Sequence, residues 1–243
     1  MAFRTENNVA SQLIAALAGA VSTDSMTLLY GRRQITDLNA NSGEIELKQS
    51  GETRIAGIVS SGNGTSFYGH TPVGTTWAAR STGTVESTVG AWTWRALIGA
   101  PAGMGFFESP DDADAGWSEF PASPLEHTAF AIASLVLGSN GREVGPFDFA
   151  AIRVWDRPRD LTALLAERLS EWALSDTGLV LDKRGTGADL GTALAAGTGT
   201  LTTGGTVVLN ADLPATIGSA PVPSSVIRPA LNAGYSTLSG YLQ

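Results

Sequence analysis

Cysteine is absent from the 243 residues, which removes disulfide frameworks, thiolate metal sites and cysteine nucleophiles together. Histidine is almost as scarce, with only His70 and His127, and neither sits in a context that suggests a catalytic triad or an imidazole-based metal site. Basic charge is short as well. Fifteen Lys and Arg face 23 Asp and Glu, a net charge of −8, so phosphate backbones and anionic membranes are repelled and neither nucleic acid nor membrane is expected as a partner. Of the basic residues only Lys48 and Lys183 are lysines. Long apolar runs are lacking too, since nothing reaches the roughly 18 residues that a membrane-spanning helix needs. The nearest approach is Val9 to Val21. It has the outline of an export signal, but Ser11 and Gln12 interrupt it and Glu6 offsets Arg4; it is therefore expected to be a docking helix.

Glycine is plentiful, at 29 residues, with 11 Pro and 43% hydrophobic residues, a composition that suits a globular, loop-rich, β-dominated chain. Short apolar runs broken by Gly, Ser, Thr and Asn follow one another from Met26 to about Leu137: MTLLYG, ITDLNA, GEIELKQ, TRIAGIV, TSFYG, AWTWRALIG and FAIASLVLG. Their β-branched and aromatic content, and their spacing of about ten residues, predict an antiparallel sandwich with turns at sites such as Ser61-Gly62-Asn63-Gly64. Four segments are expected. Residues 1–25 form the docking helix, with Val9, Leu13, Leu17 and Val21 every four residues. Residues 26–175 form the sandwich, which carries one packed helix over Leu161 to Leu174 with Asp160 as its N-cap and Trp172 on its apolar face. Residues 176–213 form a Gly/Thr-rich β appendage. Residues 214–243 form an extended arm whose anchors are Val226, Ile227, Leu231, Tyr235, Leu238, Tyr241 and Leu242 and whose prolines prevent a self-contained core.

One segment resembles a known family. Gly145-Pro-Phe-Asp-Phe-Ala-Ala-Ile-Arg-Val-Trp-Asp-Arg-Pro158 is similar to the closing strand of concanavalin A-like, laminin G-like jelly rolls, in which a glycine turn precedes a V-R-I-Y/W-N-R strand and a short helix follows. Leu135-Val136-Leu137-Gly138 resembles the penultimate strand of that family. The resemblance covers roughly 40 residues and implies a concanavalin-like antiparallel β-sandwich. Strand alternation places Phe149, Ala151, Arg153 and Trp155 on one face and Ala150, Ile152 and Val154 on the other, and Arg153 reads as a structural ion-pair or carbonyl-bonding residue.

Some members of that superfamily hydrolyse glycosides, and Gly43-Glu44-Ile45-Glu46-Leu47-Lys48-Gln49 resembles their G-E-I-D motif. Lys48 or Gln49 stands where the proton donor of a retaining mechanism belongs, so no catalytic residues are expected and Glu44 and Glu46 read as solvated strand residues. The acidic loop Glu108 to Glu119 offers oxygen ligands through Asp111, Asp112 and Asp114, with calcium as the candidate ion and no other cofactor. Trp117 beside Asp114 and Glu119 has the composition of a sugar platform, an aromatic ring with polar groups at its edge. Trp92 and Trp94 share a strand face and read as core.

The expected function is a non-enzymatic structural protein of a bacteriophage particle, in the tail or on the capsid. It would be located in the virion, with homo-oligomer and other virion proteins as partners and a host surface glycan as ligand. The grounds are the missing cysteine, the missing catalytic set, a Gly/Thr/Ala-rich segment resembling phage fibre and decoration proteins, and the apolar arm. A secreted or cell-surface carbohydrate-binding protein is the alternative, and a glycoside hydrolase the third reading.

Overall fold

Period-two burial dominates this chain, and it is realised as strands even where the spacing of apolar residues also suits a helix. The computed structural model describes residues 1–6, 11–37, 42–51, 54–61, 64–70, 77–83, 88–119, 129–139, 145–185 and 187–217. Among these the elements are, in order, β1 (Ala2–Thr5), β2 (Gln12–Ser22), β3 (Thr27–Gln34), β4 (Ser42–Lys48), β5 (Arg54–Ser61), β6 (Gly64–His70), β7 (Trp77–Gly83), β8 (Trp92–Ala100), β9 (Gly103–Pro110), β10 (Ser118–Glu119), β11 (Ala131–Leu137), β12 (Phe147–Trp155), α1 (Leu161–Leu169), β13 (Leu179–Lys183), α2 (Leu190–Ala195), β14 (Leu201–Gly204) and β15 (Val207–Asn210).

They build two antiparallel sheets. One runs β10-β9-β8-β3-β12-β1-β15, with β13 also paired to β12, and the other runs β14-β2-β11-β4-β5-β6-β7. Between them lie the inward residues of both, among them Phe3, Leu28, Tyr30, Leu97, Phe106, Phe147, Phe149 and Ile152 from the first sheet and Leu13, Ile45, Leu47, Leu135 and Leu137 from the second. The first sheet is covered on its other face too. Leu29, Trp94, Ala96, Ala151 and Trp155 pack there against Leu161 and Leu164 of α1, Trp117 and Ile217.

The expected docking helix is instead β1 and β2. Val9, Leu13, Leu17 and Val21 recur every four residues, and four is a multiple of two as well as close to a helical turn, so the same spacing serves a strand. Leu13, Ala15 and Leu17 are buried while Ala16 and Ala18 are exposed. The segment after residue 175 is not an appendage either. β13 and β15 extend the first sheet and β14 the second, so the sandwich draws on strands from Ala2 to Asn210. The run ITDLNA is not a strand over its described part, Ile35 to Asp37. Helix α1 starts after the expected cap, Asp160, whose carboxylate accepts from the N–H groups of Thr162 and Ala163, but it stops at Leu169.

Two bulges re-aim side chains. On β12 the register to β3 shifts between Ala150 and Arg153, and Ala151 takes a φ of +49°. The extra residue flips the alternation: Phe149, Ile152 and Val154 all face the inner core, while Ala151 and Trp155 face α1. The expected grouping of Phe149 with Ala151 and Trp155 is corrected accordingly. On β4 the register to β5 shifts between Gly43 and Ile45, and the extra residue is Glu44.

That bulge delivers a carboxylate to the space between the sheets. Glu44 is completely buried. It accepts from the Tyr30 hydroxyl at 2.7 Å, Arg32 Nε at 3.0 Å, the Ser60 hydroxyl at 2.9 Å and Arg95 Nη1 at 2.5 Å. Arg95 also donates to Glu108 at 2.8 Å, and Arg32 to Gln34 at 3.4 Å. Arg32 lies 5.0 Å over the Phe147 ring and Arg95 5.6 Å over Phe106. Two cations and two anions cancel, so the charge is buried in neutral form. Glu44 and Glu46 are therefore not solvated: Glu46 is also buried and pairs with Lys48 at 3.2 Å.

Burial alone raises the Glu44 pKa, but Arg95 and Arg32, with hydrogen bonds from Tyr30 and Ser60, outweigh it and hold the carboxyl below its ordinary value. Glu44 thus releases its proton more readily folded than unfolded. Its stabilisation is complete above the unfolded value of about 4.3 and disappears as pH falls through the lower folded value. Glu44→Gln should lower unfolding stability at pH 7 by about 3–5 kcal/mol, because Arg32 and Arg95 lose their shared anion. It should also flatten, relative to wild type, the loss of stability as pH falls below the unfolded value of about 4.3. Urea titrations of both proteins across that range provide the check, and parallel pH profiles would refute the assignment.

Candidate functional site

Across the part of the first sheet's outer face that does not pack on α1, strand register lines up four side chains. Trp92 of β8 is the partner of Arg33 on β3, Arg33 of Asp148 on β12, and Asp148 of Arg4 on β1. Arg4 is in turn opposite Val208 of β15, which is 40% exposed. Their neighbours Phe3, Arg32, Phe147 and Phe149 face inward, so alternation turns this row outward. From Trp92 to Val208, four inter-strand steps of about 4.8 Å span roughly 19 Å.

Asp148 organises the row. It is fully buried and accepts from Arg4 Nε at 2.8 Å and Nη2 at 3.0 Å, from Arg33 Nε at 2.9 Å, and from the Asn210 amide at 2.9 Å. Arg33 also pairs with Asp212 at 3.0 Å and lies 5.0 Å over the Trp92 ring. Exposure rises outward from Asp148, from 14% for the Arg33 side chain to 31% for Arg4 and 63% for Asp212. Such bidentate, charge-assisted bonds fix both guanidinium planes. The row thus presents a half-exposed indole, guanidinium and amide donors and a carboxylate acceptor, and the formal charges of Arg4 and Arg33 cancel those of Asp148 and Asp212. An apolar ring face beside fixed donors and acceptors is what a saccharide requires, since its C–H face stacks while its hydroxyls bond at the edges.

The residues singled out in the sequence stand elsewhere. Trp117 is half-buried; its indole N–H donates to the Leu161 carbonyl at 3.1 Å, and Arg168 lies 6.0 Å over its ring. Asp114 and Glu119 are exposed nearby in sequence, and Asp114 donates its N–H to Asp112. Arg168 fastens the loop to α1 through Ser109 and the carbonyls of Ala113 and Ala115. The Asp111 carboxylate is taken by the N–H groups of Ala215 and Thr216, the Thr216 hydroxyl and Trp94. Among the described residues no three His, Cys, Asp or Glu side chains stand where they could hold a metal ion, so Asp111, Asp112 and Asp114 do not form the expected calcium ligand set. Arg153 does bond as a structural residue, to the carbonyls of Glu167 and Ser170 and to Asp182 at 3.3 Å. Trp94 is core, whereas Trp92 is at its rim. His127 and all seven arm anchors, from Val226 to Leu242, lie outside the described residues.

Arg4, Arg33, Asp148, Asn210 and Asp212 were missed because four strands and the residue pair after β15 contribute one polar residue apiece, with no local motif. The available signal was Asp148 itself, a carboxylate inside the apolar run FDFAAIRVW.

No protein-family model matches the chain, and no curated protein matches it. Solved structures do. A protein from Bacteroides ovatus, provisionally described as carbohydrate-binding, superposes with a TM-score of 0.54 at 15% identity, over 86% of this chain and 60% of its own. The fold is a concanavalin-like β-sandwich. A heptameric SAP-like pentraxin from Limulus polyphemus reaches 0.47 at 11% identity, over 68% of this chain and 80% of its own. A Trypanosoma rangeli sialidase reaches 0.47 at 11%, but this chain spans only 26% of its length.

Because Trp117 braces the acidic loop on α1, Trp117→Ala should cost about 2 kcal/mol, less than a fully buried Trp. Guanidinium unfolding measures it, and an unchanged midpoint would return Trp117 to the surface-platform reading.

Proposed function

We propose that this protein is a carbohydrate-binding β-sandwich that takes its ligand on the outer face of the first sheet, along Trp92, Arg33, Asp148 and Arg4. The observation that carries the reading is the register row itself: an indole stacked on Arg33, one of two guanidinium groups that a single buried carboxylate holds. Preorganisation matters because sugar hydroxyls are well solvated, so donors that are already ordered lose little entropy on binding. The Bacteroides ovatus neighbour, with its carbohydrate-binding description, supports the same class. The expected virion role rests in part on the arm, of which only Pro214 to Ile217 is described; there Ile217 packs on the protein's own sheet.

Arg33 and Arg4 are the groups that meet hydroxyls, Trp92 is the stacking surface, and Asp148 is a positioning residue that acts through both arginines. In a glycan-array screen, wild type should bind, and Trp92→Ala should reduce affinity by at least about tenfold with little change in melting temperature. Asp148→Asn should weaken binding as well, because the neutral amide holds the guanidinium pair less firmly. Absence of any glycan binding by wild type, or full binding by Trp92→Ala, would overturn the assignment.

A further inference from the structure

We propose a second contact for the same ligand at Trp172, Arg184 and Glu171, a subsite at the far end of β1 that makes the binding surface longer than the Trp92 row; it rests on the carbohydrate-binding reading. Trp172 is 38% exposed, more open to solvent than the half-buried Trp92 and Trp117. Because α1 ends at Leu169, Trp172 leaves the helical register and its ring stands on a loop. That loop is fastened on both sides. The Ala173 N–H donates to Asp182 at 2.7 Å and the Leu174 N–H to Glu167 at 2.9 Å.

The ring itself is backed by charge. Arg184 lies 4.7 Å from its centroid, with a guanidinium side chain only 6% exposed, and pairs with Glu171 at 3.2 Å. Arg184 Nη1 makes no hydrogen bond of good geometry. Glu171, 61% exposed, supplies an acceptor beside the ring. At the ring's edge is Gly197, at φ +81°, where any Cβ would come within 3.0 Å of the indole and 2.1 Å of the Asp182 carbonyl. Only glycine leaves that edge clear. The outcome is an indole fixed in place yet open to solvent, with a donor-bearing cation behind it and a carboxylate alongside.

The position connects it to the first row. β3 lies along one edge of β12, so β1 and β13 share the other, β1 opposite Asp148 and Phe149 and β13 opposite Ile152 to Trp155. Arg184 follows β13 directly, and Gly185 abuts the Met1 carbonyl, where a Cβ would stand 2.2 Å away. β1 therefore runs from this cluster to Arg4. Charge fixes the ligand class: Arg184 and Glu171 cancel, as the row's charges do, and a net charge of −8 repels polyanions. The ligand is an uncharged polysaccharide, extended enough to touch both indoles.

Affinity electrophoresis in gels containing dextran, laminarin, xyloglucan or galactomannan, with polygalacturonate as the charged comparison, tests this on the full chain. Calorimetry on whichever polymer retards it gives affinities. Trp172→Ala should weaken binding by about tenfold, Trp172→Phe should retain most of it, and the melting temperature should stay within about 2 °C. An unchanged affinity for Trp172→Ala alongside a loss for Trp92→Ala would overturn the second subsite alone. A loss for Trp172→Ala with none for Trp92→Ala would remove the Trp92 row and, with it, the ligand that spans both indoles. Stronger retardation by polygalacturonate, or no retardation by any uncharged polymer, would overturn the proposal.

Discussion

Glu44 is where the two sheets are tied. A single carboxylate, turned inward by one extra residue on β4, receives bonds from Tyr30, Arg32 and Arg95 of one sheet and Ser60 of the other. Apolar packing alone is tolerant of small slides between sheets, since one methyl contact replaces another. A buried ion network is not tolerant, because a displacement of one residue leaves a charge without its partner at a cost of several kcal/mol. The aromatic rings of Phe147 and Phe106 beneath the two guanidinium groups extend the network into the surrounding core. The sandwich thereby has a fixed sheet-to-sheet alignment, and everything mounted on the outer face inherits it.

That outer face is divided. One part is closed by α1, the loop braced through Arg168 and the Pro214 to Ile217 turn, with Trp94, Trp155 and Leu29 beneath. The rest carries the polar row, and there Asp148 does beneath the outer face what Glu44 does between the sheets: it gathers two arginines around one carboxylate. The two centres lie on opposite sides of β3, where Arg32 points inward and Arg33 outward. Consecutive residues of one strand thus belong one to the buried tie between the sheets and one to the proposed ligand row.

The architecture was legible where strand signals were unambiguous. Runs such as AWTWRALIG and FAIASLVLG are β8 and β11, and Asp160 caps α1 as its position predicts. Illegible were features set by pairing rather than by local pattern. The spacing of Leu13, Leu17 and Val21 fits two periods, and only the partners β11 and β14 select the strand. The bulges at Glu44 and Ala151 invert which residues face the core, and no periodicity in the sequence marks them. The Gly/Thr-rich stretch after residue 175 reads as β but as a separate appendage, because edge strands such as β14 and β15 bury only one side chain each, Leu201 and Val207, and nothing local marks which sheet they join. The outer row was the least visible part, since its members meet only through the register of five strands.

The placement of β1 has a consequence for how the chain comes to be folded. The amino-terminal strand sits between β12 and β15, so its two edges are satisfied by residues 148–149 and 207–210. During synthesis Phe3 and its neighbours must wait for Phe149 before one edge can pair and for Leu209 before the other can. Contacts so distant in sequence make closure slow. An unpaired apolar strand held open through translation is a natural target for chaperones and for premature association between nascent chains.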